Sequence, residues 1–480
     1  MAEAATLQGS AATAGGVEVE ARSRGLRKEL GLFDLVMAQI LVIFVPDYFG
    51  TAIKAGDAHV VFWIAGMLLF FLPLAAVVMH MNRKLPLEGG LYEWARIAFG
   101  DQLGFLVAWN IWMYGIVYVG LAGLVTAGFA SYAIPGWEWL ASNKLALAAF
   151  SVGMVGLTML VASVGLNFGK WIFNLASATF LATVLLLIVS PFVHVWRGTL
   201  PSYHPLHIVA PSLTLFSVSV FSKMTFGALT GFEYVATLAG ECRNPRRDLP
   251  RSVLLTAPVI ALTYILTTSA IRAFMPSGGE DVVAPIAQAF SRGGAQAFGL
   301  AGVILPLAIG ILFFYYLATF CIFFGVCTRL PMVAGWDHLL PQWFSKLHPK
   351  YKTPTNSILA LGVATLLFGL GASIGVKEDE AVQTLLTCSF TFYALAYMAL
   401  FAIPLFSAKS KGLRPSGWVR AASLSGLLAT LLFIVLSVVP IIHIGSRAGY
   451  SVKIVAVVLG ANLAALGYYR VKGTREVKKN

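Results

Sequence analysis

Apolar runs follow one another along most of this chain, each about as long as the roughly 20 residues that cross a bilayer core. Short breaks rich in charge, glycine and proline separate them. The pattern predicts twelve transmembrane helices, centred in residues 33–55, 60–81, 102–132, 143–163, 170–194, 213–240, 252–273, 297–328, 355–375, 382–406, 421–442 and 451–469. An even number of crossings puts both termini on one side, and the 34 Lys and Arg residues decide which. With the N-terminus inside, 25 of them fall in inner segments and 8 in outer ones, Lys223 remaining within span six. This bias places both termini in the cytoplasm of a multi-pass protein of the cell membrane.

Composition agrees. The chain is 58% apolar and 11% charged, against roughly 45–50% and about 25% in a soluble domain, so the bilayer is its solvent. The net charge of +13 is then mostly cytoplasmic-loop charge facing anionic lipid, with no nucleic-acid partner implied. Residues 1–30 read as a loose cytoplasmic tail without the apolar core of a signal peptide. Cys242, Cys321, Cys327 and Cys388 lack metal or disulfide spacing and read as packing residues. The eight histidines scatter, so no cofactor or metal site is expected and no enzyme activity is assigned.

Irregular backbone at membrane depth is tolerated only where protein buries it or a cavity adjoins it, so interrupted spans mark the working site. Span one carries Ile43-Phe44-Val45-Pro46-Asp47-Tyr48-Phe49-Gly50-Thr51, with a proline that removes a donor at mid-membrane. Span six carries Phe226-Gly227-Ala228-Leu229-Thr230-Gly231-Phe232-Glu233, whose two glycines read either as a break or as a close-packing pair. The two stretches lie five spans apart, as an inverted five-helix repeat would place them, and paired broken helices point to a transport site. Candidate substrate-binding residues are therefore Val45, Asp47, Tyr48, Gly50, Asn110, Phe226, Gly227, Thr230 and Gly231.

Charges inside the membrane are costly and functional by default. Glu233 lies eight residues before Glu241, roughly 12 Å inside the cytoplasmic edge at 1.5 Å per residue. It reads either as a proton-coupling carboxyl or as a permanently protonated one on a backbone carbonyl. Asp47 and Lys223 fall at similar depth and read either as an ion pair or with Asp47 meeting a substrate amine or a coupling ion. Trp109, Tyr114, Tyr118, Tyr315, Tyr316, Phe390 and Tyr393 read as packing or interface aromatics. For Asn110, an interhelical hydrogen bond explains the residue as well as a cavity does.

The chain resembles the amino acid–polyamine–organocation transporters over residues 28–470. The likeness is carried by Pro86-Leu87-Glu88-Gly89-Gly90-Leu91-Tyr92-Glu93-Trp94, Phe99-Gly100 and Gly104-Phe105, then by Gly231-Phe232-Glu233, Glu241-Cys242-Arg243-Asn244-Pro245 and Leu249-Pro250-Arg251. Arg329, Asp337, Leu340-Pro341 and Lys352-Thr353-Pro354 complete it. It implies an all-α integral membrane fold of the leucine-transporter type with twelve transmembrane helices. Residues 31–408 would form a 5+5 inverted-repeat core, with spans 1–5 at 33–194 and spans 6–10 at 213–406, followed by two peripheral helices at 409–470 and a tail at 471–480.

It also implies alternating access, a substrate between spans one and six, proton linkage at Glu233, and an aromatic outer gate at Phe226 or a neighbour, with Gly227 as the other alignment. The expected function is an amino acid permease driven by protons or by exchange. The alternative is a polyamine or other cationic amine carrier, and a channel or intramembrane enzyme is the remote one. The chain departs from the family in two places. Val45-Pro46-Asp47 stands where a Gly-rich break usually offers N–H groups to a carboxylate, which favours an amine. The stretch Asn174-Leu175-Ala176-Ser177-Ala178-Thr179-Phe180 of span five lacks the lysine that some family members place there.

Overall fold

A computed structural model describes residues 30–85, 90–164, 166–233, 242–275, 281–333, 341–407 apart from 342, 345, 350 and 352, and 415–477. The expected motif residues 86–89, the inner part of span six at 234–240, Glu241 and the loop 334–340 lie outside the described residues. The described regular structure is helical, apart from one isolated parallel bridge between Leu30 and Cys242.

Among the described residues, ten helices are long and apolar enough to cross a membrane: Gly56–Lys84, Asp101–Ala130, Lys144–Val164, Trp171–Trp196, Arg247–Ala273, Ala301–Thr328, Thr355–Ala372, Glu378–Phe406, Gly417–Leu436 and Arg447–Lys472. They match expected spans two to five and seven to twelve. An eleventh comes from the pair Leu32–Ile43 and Asp47–Ile53, bent by 53°, which is the expected broken span one. Of span six the described part is the helix Leu215–Ala228, so the count of twelve rests on residues outside the description.

Boundaries move where local chemistry acts. Thr214 caps span six by accepting the Ser217 N–H at 3.1 Å. Span eleven, expected at 421–442, starts at Gly417 because the Ser416 side chain caps it, and ends at Leu436 ahead of Pro440, whose ring disfavours helix in the residue before it.

The spans differ in how far protein encloses them. The central stretch of span three is wholly buried and that of span ten is 83% buried, whereas only 22% of span twelve is. The outer faces carry Leu145, Trp196, Leu367 and Val435 to the surface, an apolar exterior suited to lipid. Span one is held at both ends. On the side read as inner, Arg243 N–H donates to Leu30 O at 3.0 Å, Asn174 Nδ2 to Asp34 Oδ1 at 2.7 Å and Gln39 Nε2 to Ser252 Oγ at 3.0 Å. On the other side Gly50 packs against the backbone of Val282, where an added Cβ would lie 2.7 Å from the Val282 Cα.

Gly50 is thus a close-approach residue between span one and the segment before the short helix Pro285–Ala289. Gly50→Ala forces backbone apart and is expected to cost about 1–3 kcal/mol. Gly371→Ala, in an open helical position with nothing nearby, is expected to cost nothing. Thermal unfolding of the two variants in detergent checks the contrast.

Candidate substrate site

Pro46 has no N–H, and the chain turns at Phe44 to Pro46 before the second half-helix begins at Asp47. The groups released there are met by tyrosines from other spans. Tyr264 of span seven accepts the Val45 N–H at 3.0 Å and donates to Ile43 O at 3.1 Å. Tyr315 of span eight donates to Phe44 O at 2.7 Å. Aromatic packing fixes both rings: Tyr264 stacks on Phe44 at 4.4 Å and Tyr315 on Phe180 at 3.9 Å.

Span six breaks in a parallel way. Its helix stops at Ala228, and Gly231 takes φ +121°, in the region that favours glycine. The Gly231 N–H donates to the Tyr397 hydroxyl at 2.8 Å. Tyr393 and Tyr397, one turn apart on span ten, donate to the two oxygens of Glu233. A carboxylate accepts on both oxygens, so the arrangement suits the ionised form against the cost of burial. Tyr114 of span three stacks on Tyr393 at 4.1 Å and holds it in place.

Tyr48 joins the two breaks. Its ring occupies the space a side chain at Gly227 would need and lies edge-on to Phe390 at 5.0 Å. Val45 and Thr230 are buried within their respective breaks.

Asp47 is 1% exposed, and neither carboxylate oxygen has a hydrogen-bond partner. The Tyr316 hydroxyl stands beside it without reaching hydrogen-bond geometry, and Tyr118 is close to both. The hydroxyls of Tyr118, Tyr316 and Thr51, the last one turn beyond Asp47, are also buried without partners. Most buried polar atoms in folded proteins are paired, so orphans gathered between spans one, three and eight call for an explanation.

Two expectations move elsewhere. Lys223 does not meet Asp47: its Nζ donates to Ser437 O at the end of span eleven, 3.1 Å away, beside Cys388. Asn110 pairs reciprocally with Asn462 of span twelve at 2.8 and 3.1 Å, the interhelical alternative. Phe226 stacks on Phe433 of span eleven at 4.6 Å, packs on Phe70 and lies edge-on to Tyr397 at 5.4 Å. Equal depth in two helices says nothing of the direction each side chain takes around its axis, and Lys223 and Asn110 turn to spans eleven and twelve.

A model of the family described as amino acid permease matches residues 30–462. The chain belongs to this amino acid permease family. Among its relatives, an uncharacterized transporter of Legionella pneumophila is 26% identical to the permease over 82% of this chain and 84% of its own. The branched-chain amino acid permease BcaP of Bacillus subtilis is 24% identical over 79% of this chain and 82% of its own. A solved structure, MhsT in complex with L-phenylalanine, superposes with a TM-score of 0.60 at 13% identity, covering 86% of this chain and 99% of that one. The permease therefore shares the leucine-transporter-type fold and is a multi-pass secondary transporter of small molecules.

Replacing Tyr264 by Phe leaves the Val45 N–H and Ile43 O without their partner and is expected to cost about 1–3 kcal/mol. Tyr118→Phe removes a hydroxyl that bonds nothing in the chain and should leave the unfolding midpoint where it was.

Proposed function

We propose that this permease carries an organic amine across the cell membrane by alternating access, with the ammonium group received at Asp47. The observation that supports this most directly is the buried Asp47 carboxylate at the start of a half-helix, with no cation paired to it among the described residues and the Tyr316 and Tyr118 hydroxyls nearby. An ammonium offers three donors to such a cluster and supplies the charge that burial otherwise leaves uncompensated. Tyr48, Gly227, Thr230 and Val45 would line the same space.

Amino acids and amines that lack a carboxylate are both compatible with an ammonium site. The backbone favours the second. Two amides freed by the breaks, Val45 and Gly231, already donate to tyrosine oxygens, Pro46 has none, and Asp47 repels an anion. A cationic amine or polyamine thus moves ahead of the α-amino acid first expected. Glu233, bonded to Tyr393 and to Tyr397, the second of which also holds the span-six break, is the proposed proton-coupling group.

Uptake into proteoliposomes of a labelled amine and amino-acid panel, with and without a pH gradient, tests the reading. Organic amines are expected to enter, and flux of none would overturn it. Asp47→Asn, which removes a charge-assisted interaction of about 1.5–3 kcal/mol, is expected to weaken amine affinity by about 10- to 100-fold. Unchanged affinity would return Asp47 to a structural role. Glu233→Gln should keep substrate exchange and lose the pH-driven component; a pH-driven flux that persists would remove the proton role.

A further inference from the structure

Away from the breaks, on the face read as outer, a cavity of about 300 Å³ lies where the start of span two, the end of span seven and the 200–207 loop meet. That is the small end of the range for ligand pockets, roughly 300–1,000 Å³. Asp57, Tyr203, His204, His207 and Arg272 line it. The loop is fastened there by the hydrogen bond of Ser269, on span seven, to Pro205 O at 2.6 Å.

The lining holds donors that the chain leaves unused. The Tyr203 hydroxyl is buried and bonds nothing, while its ring is held edge-on against Phe192 at 5.0 Å. Arg272 gives one N–H to Asp57 and another to Ile53 O at 3.4 Å, and the rest of its five-donor fork has no acceptor among the described residues. The exposed His204 and His207 side chains have no hydrogen-bond partner among the described residues either. Spare donors around a guanidinium suit an oxyanion, and phosphate is one that arginine binds well.

The fixed anion of the lining is Asp57. Its side chain is 68% exposed and pairs with Arg272 through Oδ1, which leaves Oδ2 open to a second donor. A cation and an anion side by side match a ligand that carries both charges in the complementary order. The surroundings show where such a ligand comes from. Leu206, Ile208, Leu213 and Leu215 are exposed along the same loop, and Trp196, 84% exposed, stands at the end of span five. Apolar side chains exposed at the ends of membrane spans lie against acyl chains, and tryptophan marks the headgroup level.

We propose that this cavity is a lipid site, which takes the headgroup of an outer-leaflet phospholipid carrying a primary ammonium beside its phosphate. The phosphate receives Tyr203, His204, His207 and the free edge of Arg272, and the ammonium reaches Asp57. Arg272 also holds Ile53 O at the end of the second half-helix of span one. Occupancy of the site therefore bears on an element that must move to open this side.

Native mass spectrometry of the full chain in detergent, titrated with phosphatidylethanolamine or phosphatidylglycerol, tests the assignment. One phosphatidylethanolamine is expected to be held about tenfold more tightly than phosphatidylglycerol, whose headgroup has no ammonium. Asp57→Asn, whose amide oxygen can still accept from Arg272, should erase that preference. Tyr203→Phe should weaken both lipids about fivefold and leave the unfolding midpoint in lipid-free detergent unchanged. Glycerophosphoethanolamine, the same headgroup without acyl chains, should bind about a hundredfold more weakly than the lipid. Equal retention of the two lipids, a preference that survives Asp57→Asn, or binding untouched by Tyr203→Phe would sink the proposal. Glycerophosphoethanolamine bound as tightly as the lipid would rule out a lipid source. The readout needs no substrate, so its failure leaves the transport reading standing and the reverse also holds.

Discussion

A peptide group left unpaired in hydrocarbon costs several kcal/mol, and every irregular turn inside this molecule answers to that fact. Span one breaks at a proline and span six at a glycine, and each break frees donors and acceptors far from water. Tyrosine hydroxyls meet them in both places: Tyr264 and Tyr315 at the first, Tyr397 at the second. The phenol suits this work because its ring packs with apolar neighbours while its tip both donates and accepts. Without those tips neither half-helix geometry would be stable, and Asp47 and Glu233 would not be presented where they are.

The spans were legible because hydropathy and charge bias act over 20 residues at a time, and the break in span one because Pro46 announces itself. Direction around each helix was not legible. A helix enclosed on every side, as span three is, has no polar stripe to orient it, so Asn110 could be placed by depth but not by face. The same blindness joined Lys223 to Asp47. Tyr264 and Tyr397 went unremarked, although a signal existed: a tyrosine in mid-span needs a partner for its hydroxyl, and Tyr393 and Tyr397 share one helical face.

Span eleven, expected as peripheral, carries more than that word suggests. It receives the Phe226 ring on Phe433 and the Lys223 ammonium on the Ser437 carbonyl, so the outer half of span six is fastened to it by one apolar and one polar contact. A buried lysine at a helix C-terminus also meets the negative end of the helix dipole.

The Tyr397 hydroxyl owns a single hydrogen, which goes to Glu233, while its lone pair takes the Gly231 N–H. Backbone shape and carboxyl charge are on that account one variable rather than two. Whatever changes the demand of Glu233 for that hydrogen is felt at Gly231 without any intervening part, as a switch whose lever and contact are the same atom.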